Sequence, residues 1–374
     1  MTIQHSFSWL LKAGVLASSF FLFACGGSAS TAPDGSNGDP VVLPNPEPGP
    51  GPGDDDDDFE PEVPVEEGMI NVDGTLFDNL ADAQSAINTG SLVVIGNGTY
   101  SQGLHIQHDD VTVQGSEDTH FKGVAIQGKA TFVVDGDSVT IEGIECSGVS
   151  VPDENGACVR QQGKDLTLSH VHFHSSEQGI LSSTGSGKLT IEYSHFENLG
   201  KNGYAHAVYS NNDSLEIRYS KFHSSKDQGH EIKSRAASTL IEYSEIASLS
   251  GVDSRLVDIS NGGSLTIRDS VLEQGPNSAN NQLIGFGFEG VDGNVSQSVE
   301  LTNNIVLLER SAGNVFLGMP DDLTGVGVTI RGNDFVGGPF NDQGSHDIEA
   351  YNDIYPDRTS YGLGPFPELP NIGL

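Results

Sequence analysis

The chain is 374 residues long, with 47 glycines, 17 prolines and 17 Lys+Arg set against 52 Asp+Glu. A formal charge of −35 excludes nucleic acid as a partner, because binding phosphates needs a net basic footprint. Abundant Gly, Ser, Asn, Thr and Asp, with only 36% hydrophobic residues, exclude a helical bundle, a polytopic membrane protein and a small disulfide scaffold.

Residues 10–24 form an apolar run broken only by Lys12, too short to span a membrane comfortably and shaped like a signal peptide. Leu22-Phe23-Ala24-Cys25 resembles the bacterial lipobox, although Phe23 stands where a small residue is usual. The resemblance implies a signal over 1–24 and an exported lipoprotein anchored by acyl chains, palmitate among them, on Cys25. Gly26 rather than Asp after the cysteine implies the outer membrane, facing either the periplasm or the surface. An uncleaved anchor or an ordinary secretory signal is the alternative.

Residues 25–68 run through NPEPGPGPG, Asp54 to Asp58 and EPEVPVEE with no hydrophobic periodicity. Such a stretch cannot bury a core and is expected to be a solvated, self-repelling tether spanning roughly 35–40 Å as a coil.

The domain is expected over 69–374, where the text repeats itself. VTIEGIEC (139–146), LTLSHVHF (166–173), LTIEYSHF (189–196), LEIRYSKF (215–222), TLIEYSEI (239–246), LTIRDSVL (265–272), VELTNNIV (299–306) and VTIRGNDF (328–335) line up. They start 27, 23, 26, 24, 26, 34 and 29 residues apart. Each begins with apolar/polar alternation, a strand with one buried face, and many follow a second short strand such as AVYSN or EIKSR. A period near 25 with no intervening helix predicts an all-β solenoid, a right-handed parallel β-helix of about 11 or 12 coils. Ser194, Ser220, Ser244, Ser270, Asn304 and Asn333 would form a polar corner ladder, with Tyr193, Tyr219 and Tyr243 stacked beside it. FDNLADAQSAIN (77–88) has the spacing of a short amphipathic helix, suited to cap the first coil's bare strand edge.

Aligning the second strands on inward Val159, Val208, Ile232 and Val257 gives an outward column of Arg160, Tyr209, Lys233 and Asp258. A second column reads Gln162, Asn211, Arg235 and Ser260, and coil 178–186 contributes Leu181 or Ser182 to the first. His206 and His230 fall at equivalent strand starts, with Tyr204 just upstream. Six of the 17 basic residues (Lys201, Arg218, Lys221, Lys226, Lys233, Arg235) lie within 201–235, a local patch suited to an anionic ligand. The alternative is cross-coil ion pairing, with Lys233 held by Glu231 or Asp258.

SLVVIGNGTYSQGLHI (91–106) resembles the opening coil of β-helical polysaccharide lyases and uronan epimerases, and GHEIKSRAASTLIEYSEI resembles exported bacterial β-helix proteins. The resemblance covers most of 70–335 and is far more specific for fold than for activity. It implies an anionic, uronate-containing polysaccharide as partner and β-elimination as the expected reaction. On that reading Arg235, with Asn211, neutralises the carboxylate, Lys233 is the base, and Tyr209, His206 or His230 protonates the leaving oxygen. Arg160, Asn211, Tyr204 and Asp258 would bind substrate.

Non-catalytic glycan binding or an envelope-structural role, C5 epimerisation, and hydrolysis of a neutral glycan remain alternatives. Ca²⁺ is the one cofactor the resemblance and the NGD, NNDS and DGD turns admit, though no Asp/Glu column of the calcium-dependent kind is evident. His170, His172 and His174 alternate like metal ligands, but the alignment puts His170 in the tyrosine column and His172 beside His195 and Lys221, favouring stacking or surface roles. In an oxidising compartment Cys146 and Cys158 are expected as a disulfide, two free thiols being the alternative. A monomer is expected.

Overall fold

The computed structural model describes residues 59–61, 63–116, 118–311, 313–338 and 348–374. The expected signal, Cys25 and the tether as far as residue 58 lie outside the described residues. Three parallel sheets wind around one core: sheet A of 12 strands, sheet B of 11 and sheet C of nine. Successive strands of a sheet come from successive turns, so every same-register residue stacks on its counterpart about 4.8 Å away.

Alternation sets which face each residue takes. In Lys188–Glu192 and Ser214–Arg218, Leu189, Ile191, Leu215 and Ile217 are buried while their neighbours face outward. In sheet B the single inward position of each strand stacks Phe121, Cys146, Phe173, Phe196, Phe222 and Ile246. Phe196 and Phe222 lie 4.9 Å apart and fully buried. Cys146 and Cys158 are joined by a disulfide from the sheet B column to sheet C.

Between sheets A and B each turn bends at one residue in the left-handed region: His170, Tyr193, Tyr219 and Tyr243 at φ 51°, 49°, 48° and 47°. Bulky residues rarely hold that conformation. Here their rings stack in a ladder, with centroids 5.1, 5.1 and 5.4 Å apart. The next residue turns inward: Ser194 N–H donates to Ser220 Oγ (3.1 Å), Ser220 N–H to Ser244 Oγ (3.3 Å) and Ser244 N–H to Ser270 Oγ (3.1 Å). Asn304, Asn333 and Asn352 continue the chain of bonds. Both columns read from the sequence are present, and the ladder runs beyond them to Asn352.

Helix Leu80–Ala86, capped by the Asn79 side chain on Asp82 N–H (2.9 Å), buries Leu80 and Ala83 against the first turn, as its spacing predicts. The solenoid is shorter than the expected 11 or 12 coils: nine turns carry strands of all three sheets. The difference lies at the ends. Strands Ile70–Val72 and Thr75–Phe77 pair antiparallel as a hairpin, and residues 348–374 add one strand and the short helix Arg358–Tyr361. The end of the expected tether also lies on the coil, since Phe59 stacks on His170 (5.2 Å) over Gly143, extending the aromatic ladder by one ring.

Candidate functional site

Sheet C presents the predicted outward column with its register settled: Arg160, Leu181, Tyr209, Lys233, Asp258 and Gly285. Leu181, not Ser182, takes the doubtful place, so it separates Arg160 from Tyr209. Arg160 therefore stands apart, contacting the Asn155 carbonyl at 3.5 Å.

The rest of the column forms one network. Lys233 Nζ donates to Glu289 Oε1 (2.7 Å) and Asp258 Oδ2 (3.4 Å). Arg255 NH1 donates to the other Asp258 oxygen (2.8 Å), and Ser260 Oγ donates to Oδ2 (2.6 Å). Gly285 follows Asp258 because a Cβ there would come within 2.6 Å of the Arg255 side chain. Arg235 divides its guanidinium among Tyr209 Oη (3.1 Å from Nε), Asn261 Oδ1 (2.6 Å) and Glu289 Oε2 (2.5 Å). Asn261, not Ser260, faces outward beside it, and Ser260 is buried. Asn211 is held to the Ser182 carbonyl and, with Arg235, Asn261, Glu289 and Asp292, lines a cleft of 470 Å³.

The geometry gives several of the expected residues partners within the protein. Lys233 Nζ lies between two carboxylates rather than standing free to act as a base, and Asp258 is its partner rather than a group open to substrate. Burial works to raise both carboxyls, but it is outweighed: His230, Ser260, Lys233 and Arg255 hold Asp258 below its ordinary range, and Lys233 and Arg235 hold Glu289 below its own. Both are thereby held toward the ionised form, whereas a hydrolase needs one of its two carboxyls protonated. With both carboxylates committed to cations, this donor set does not fit Ca²⁺, and no step is derived through it.

His206 and His230 are buried and stacked 4.7 Å apart. His206 Nδ1 accepts from His230 N–H and His230 Nδ1 from Arg255 N–H, both at 3.0 Å, which leaves the protons on Nε2. Burial pushes His206 well down, and burial with the Lys233 and Arg255 charges pushes His230 to about 4. They are neutral pillars behind the face. Tyr204 stands 82% exposed on the 201–205 turn, with no hydrogen bond or ring contact to the network among the described residues.

The basic patch expected over 201–235 does not assemble. One turn of some 25 residues passes through all three sheets, so Arg218 lies on sheet A against Glu216 and Glu242, Lys221 lies on sheet B, and only Lys233 and Arg235 share sheet C. Glu231 is sealed in a corner, accepting from Ser225 N and Oγ at 2.6 and 2.7 Å.

Residues 86–246 match the family described as "Right handed beta helix region". The coil is a right-handed β-helix. No curated protein matches the chain. Solved structures similar to it include an enzyme and an adhesin. One is an alginate lyase, AlyF-OU02, in complex with G6: 12% identity, TM-score 0.32, covering 74% of this chain and 60% of its own. The other is PfbA, a surface adhesin of Streptococcus pneumoniae: 10% identity, TM-score 0.36, covering 74% and 85%. The chain thus spans 60% of the lyase's length.

Sequence reasoning missed Glu289, Asn261 and Arg255. Asn261 lies one residue past the aligned Ser260, whereas Arg255 continues the column of His206 and His230 by one turn and could have been read from it. Glu289 sits on the β-helix's long turn 287–297, whose only trace in the sequence is the 34-residue spacing between repeats. That turn is pinned at its start, where the Arg255 guanidinium lies 4.7 Å from the centre of the Phe288 ring.

Proposed function

We propose that this β-helix binds an acidic, uronate-containing polysaccharide across sheet C and cleaves it by β-elimination. One observation carries the reading: the Arg235 guanidinium opens onto a cleft and already holds a carboxylate, that of the exposed Glu289, beside a tyrosine hydroxyl. A uronate carboxylate entering the cleft would replace Glu289 on Arg235 and Lys233. The paired cations would then stabilise the charge that builds on that carboxylate as the C5 proton leaves. The C5–H electrons become the C4–C5 double bond, and the C4–O bond breaks with its pair going to oxygen. Tyr209 Oη, which faces Arg235 Nε, is the group assigned to carry the proton from C5 to the leaving oxygen. Lys233, expected as the base, is reassigned to charge neutralisation.

The test is ultraviolet absorbance from the new double bond on a panel of polyuronates, with Ca²⁺ or chelator. The expected result is a rise that is abolished in Tyr209→Phe and reduced at least about 100-fold in Arg235→Ala. The second reading, glycan binding without chemistry, is favoured by the internal pairing of both cations with Glu289. It would stand if Arg235-dependent binding came with no absorbance change on any polymer. The placement of the protein, anchored to the outer membrane through acylated Cys25, is part of the same proposal. Radiolabelled palmitate incorporation that survived Cys25→Ser would refute it.

A further inference from the structure

Sheet B carries a second cluster, on a different face from Arg235 and independent of the carbohydrate reading. Five of the chain's 12 histidines (His120, His172, His174, His195, His223) point outward from its successive strands, interleaved with Glu145, Glu197 and Glu245. The register explains their meeting. Glu145 stacks between His120 and His172, His172 on His195, and His174 on Glu197.

Among the described residues, two groups of three bring their donor atoms within 4.8 Å of one another: His120, Glu145 and His174, and His172, His195 and Glu197. They differ in how far they are satisfied. In the first, His174 Nε2 lies 2.9 Å from Glu145 Oε1 and His120 Nε2 lies 2.7 Å from Ser147 Oγ, so each imidazole has a hydrogen-bond partner. In the second, His172 Nε2 and His195 Nε2 are both buried and neither makes a hydrogen bond among the described residues. The nearest carboxylate oxygen, Glu197 Oε2, is 3.9 Å from His172 Nε2, too far to bond. Two buried ring nitrogens left bare side by side are costly unless something binds them.

We propose that His172, His195 and Glu197 bind one divalent transition-metal ion of the zinc class. Two imidazole nitrogens and a carboxylate suit Zn²⁺, Ni²⁺ or Cu²⁺ and select against Ca²⁺ and Mg²⁺, which take oxygen. The rings lie stacked 4.9 Å apart and only 7° from parallel. Rotation about their soft terminal torsions turns both Nε2 lone pairs onto one ion without moving backbone. The way in is open, because the His172 and Glu197 side chains are 42% and 48% exposed. Local charge leans toward a cation: three glutamates share the face with two lysines, exposed Lys122 at its edge and Lys221, whose Nζ donates to the Leu374 carbonyl at 3.2 Å. Three protein ligands leave a fourth position for water.

The test uses the full chain, without any affinity tag, stripped with chelator and titrated with Zn²⁺ against a chromophoric competitor. One ion per chain is expected, at micromolar affinity or tighter. His195→Ala and Glu197→Gln should each weaken binding at least tenfold, while His120→Gln, in the satisfied group, should not change it. Loss with His120→Gln alone, or no saturable binding by the unaltered chain, would overturn the proposal. Should His195→Ala fail to fold, X-ray absorption on the Zn²⁺-loaded unaltered protein decides the matter: a shell with two imidazoles supports it, and a shell of oxygens alone overturns it. Lyase assays do not enter, so this site stands or falls separately from the sheet C reading.

Discussion

Arg235 and Asp258 belong to neighbouring turns of the same sheet, yet their pairings have opposite consequences. Glu289, the partner of Arg235, is on an exposed turn, so its carboxylate can leave and be replaced. Glu289→Gln should therefore tighten polyuronate binding several-fold while moving thermal stability little, as direct titration and calorimetry would show. Unchanged or weaker binding would refute the idea that Glu289 occupies the substrate's place. Asp258 is only 4% exposed and serves Lys233, Arg255 and Ser260. Asp258→Asn leaves buried Lys233 with Glu289 alone and half-buried Arg255 without a carboxylate, and should cost about 3 kcal/mol in denaturant unfolding. At this scale the sequence told which residues share a column, because strict repeats fix register. It did not tell which would neutralise which, because Glu289 reaches the column from a turn that obeys no repeat.

The corner between sheets A and B shows what was legible element by element. Tyr193, Tyr219 and Tyr243 align because each turn bends at the same residue, and the following Ser or Asn aligns with them. What one sequence could not show is the backbone there. Tyr219 at φ 48° makes an inverted order of substitution costs expected. Both Tyr219→Ala and Tyr219→Gly lose two ring contacts, but only alanine retains the left-handed strain, of about 1–2 kcal/mol. Glycine should thus be the milder change by about 1 kcal/mol, the reverse of an ordinary strand position; alanine proving milder would refute the account. The basic cluster misled for the same geometric reason that made the ladders readable. Repeats bring together residues one turn apart, not residues adjacent in sequence.

Across the whole molecule, buried titratable groups set how stability depends on pH, and two sets act in opposite senses. Glu231 is raised to about 8, first by burial and then by Asp253 and Glu273. Asp253 is raised to about 7, and Glu273, facing Glu309 and Asp253, to about 8, both chiefly by burial. The folded chain therefore keeps protons that the unfolded chain has released, and stability falls as pH rises from the ordinary carboxyl range to about 8. His206, His230 and His195 are lowered, mainly by burial, so the unfolded chain binds protons that the folded one refuses. Their contribution is complete above the unfolded histidine value near 6.5 and is lost as pH falls below it. Between pH 6.5 and 8 only the carboxyls act, so the melting temperature should decline across that window. Each carboxyl contributes at most about 1.4 kcal/mol per pH unit. Glu231→Gln keeps one acceptor oxygen for Ser225 and removes the titration, so its melting temperature should decline less steeply between pH 6.5 and 8. A decline as steep as in the unaltered chain would mean that Glu231 is already ionised in its corner, and that Ser225 donates to a buried anion.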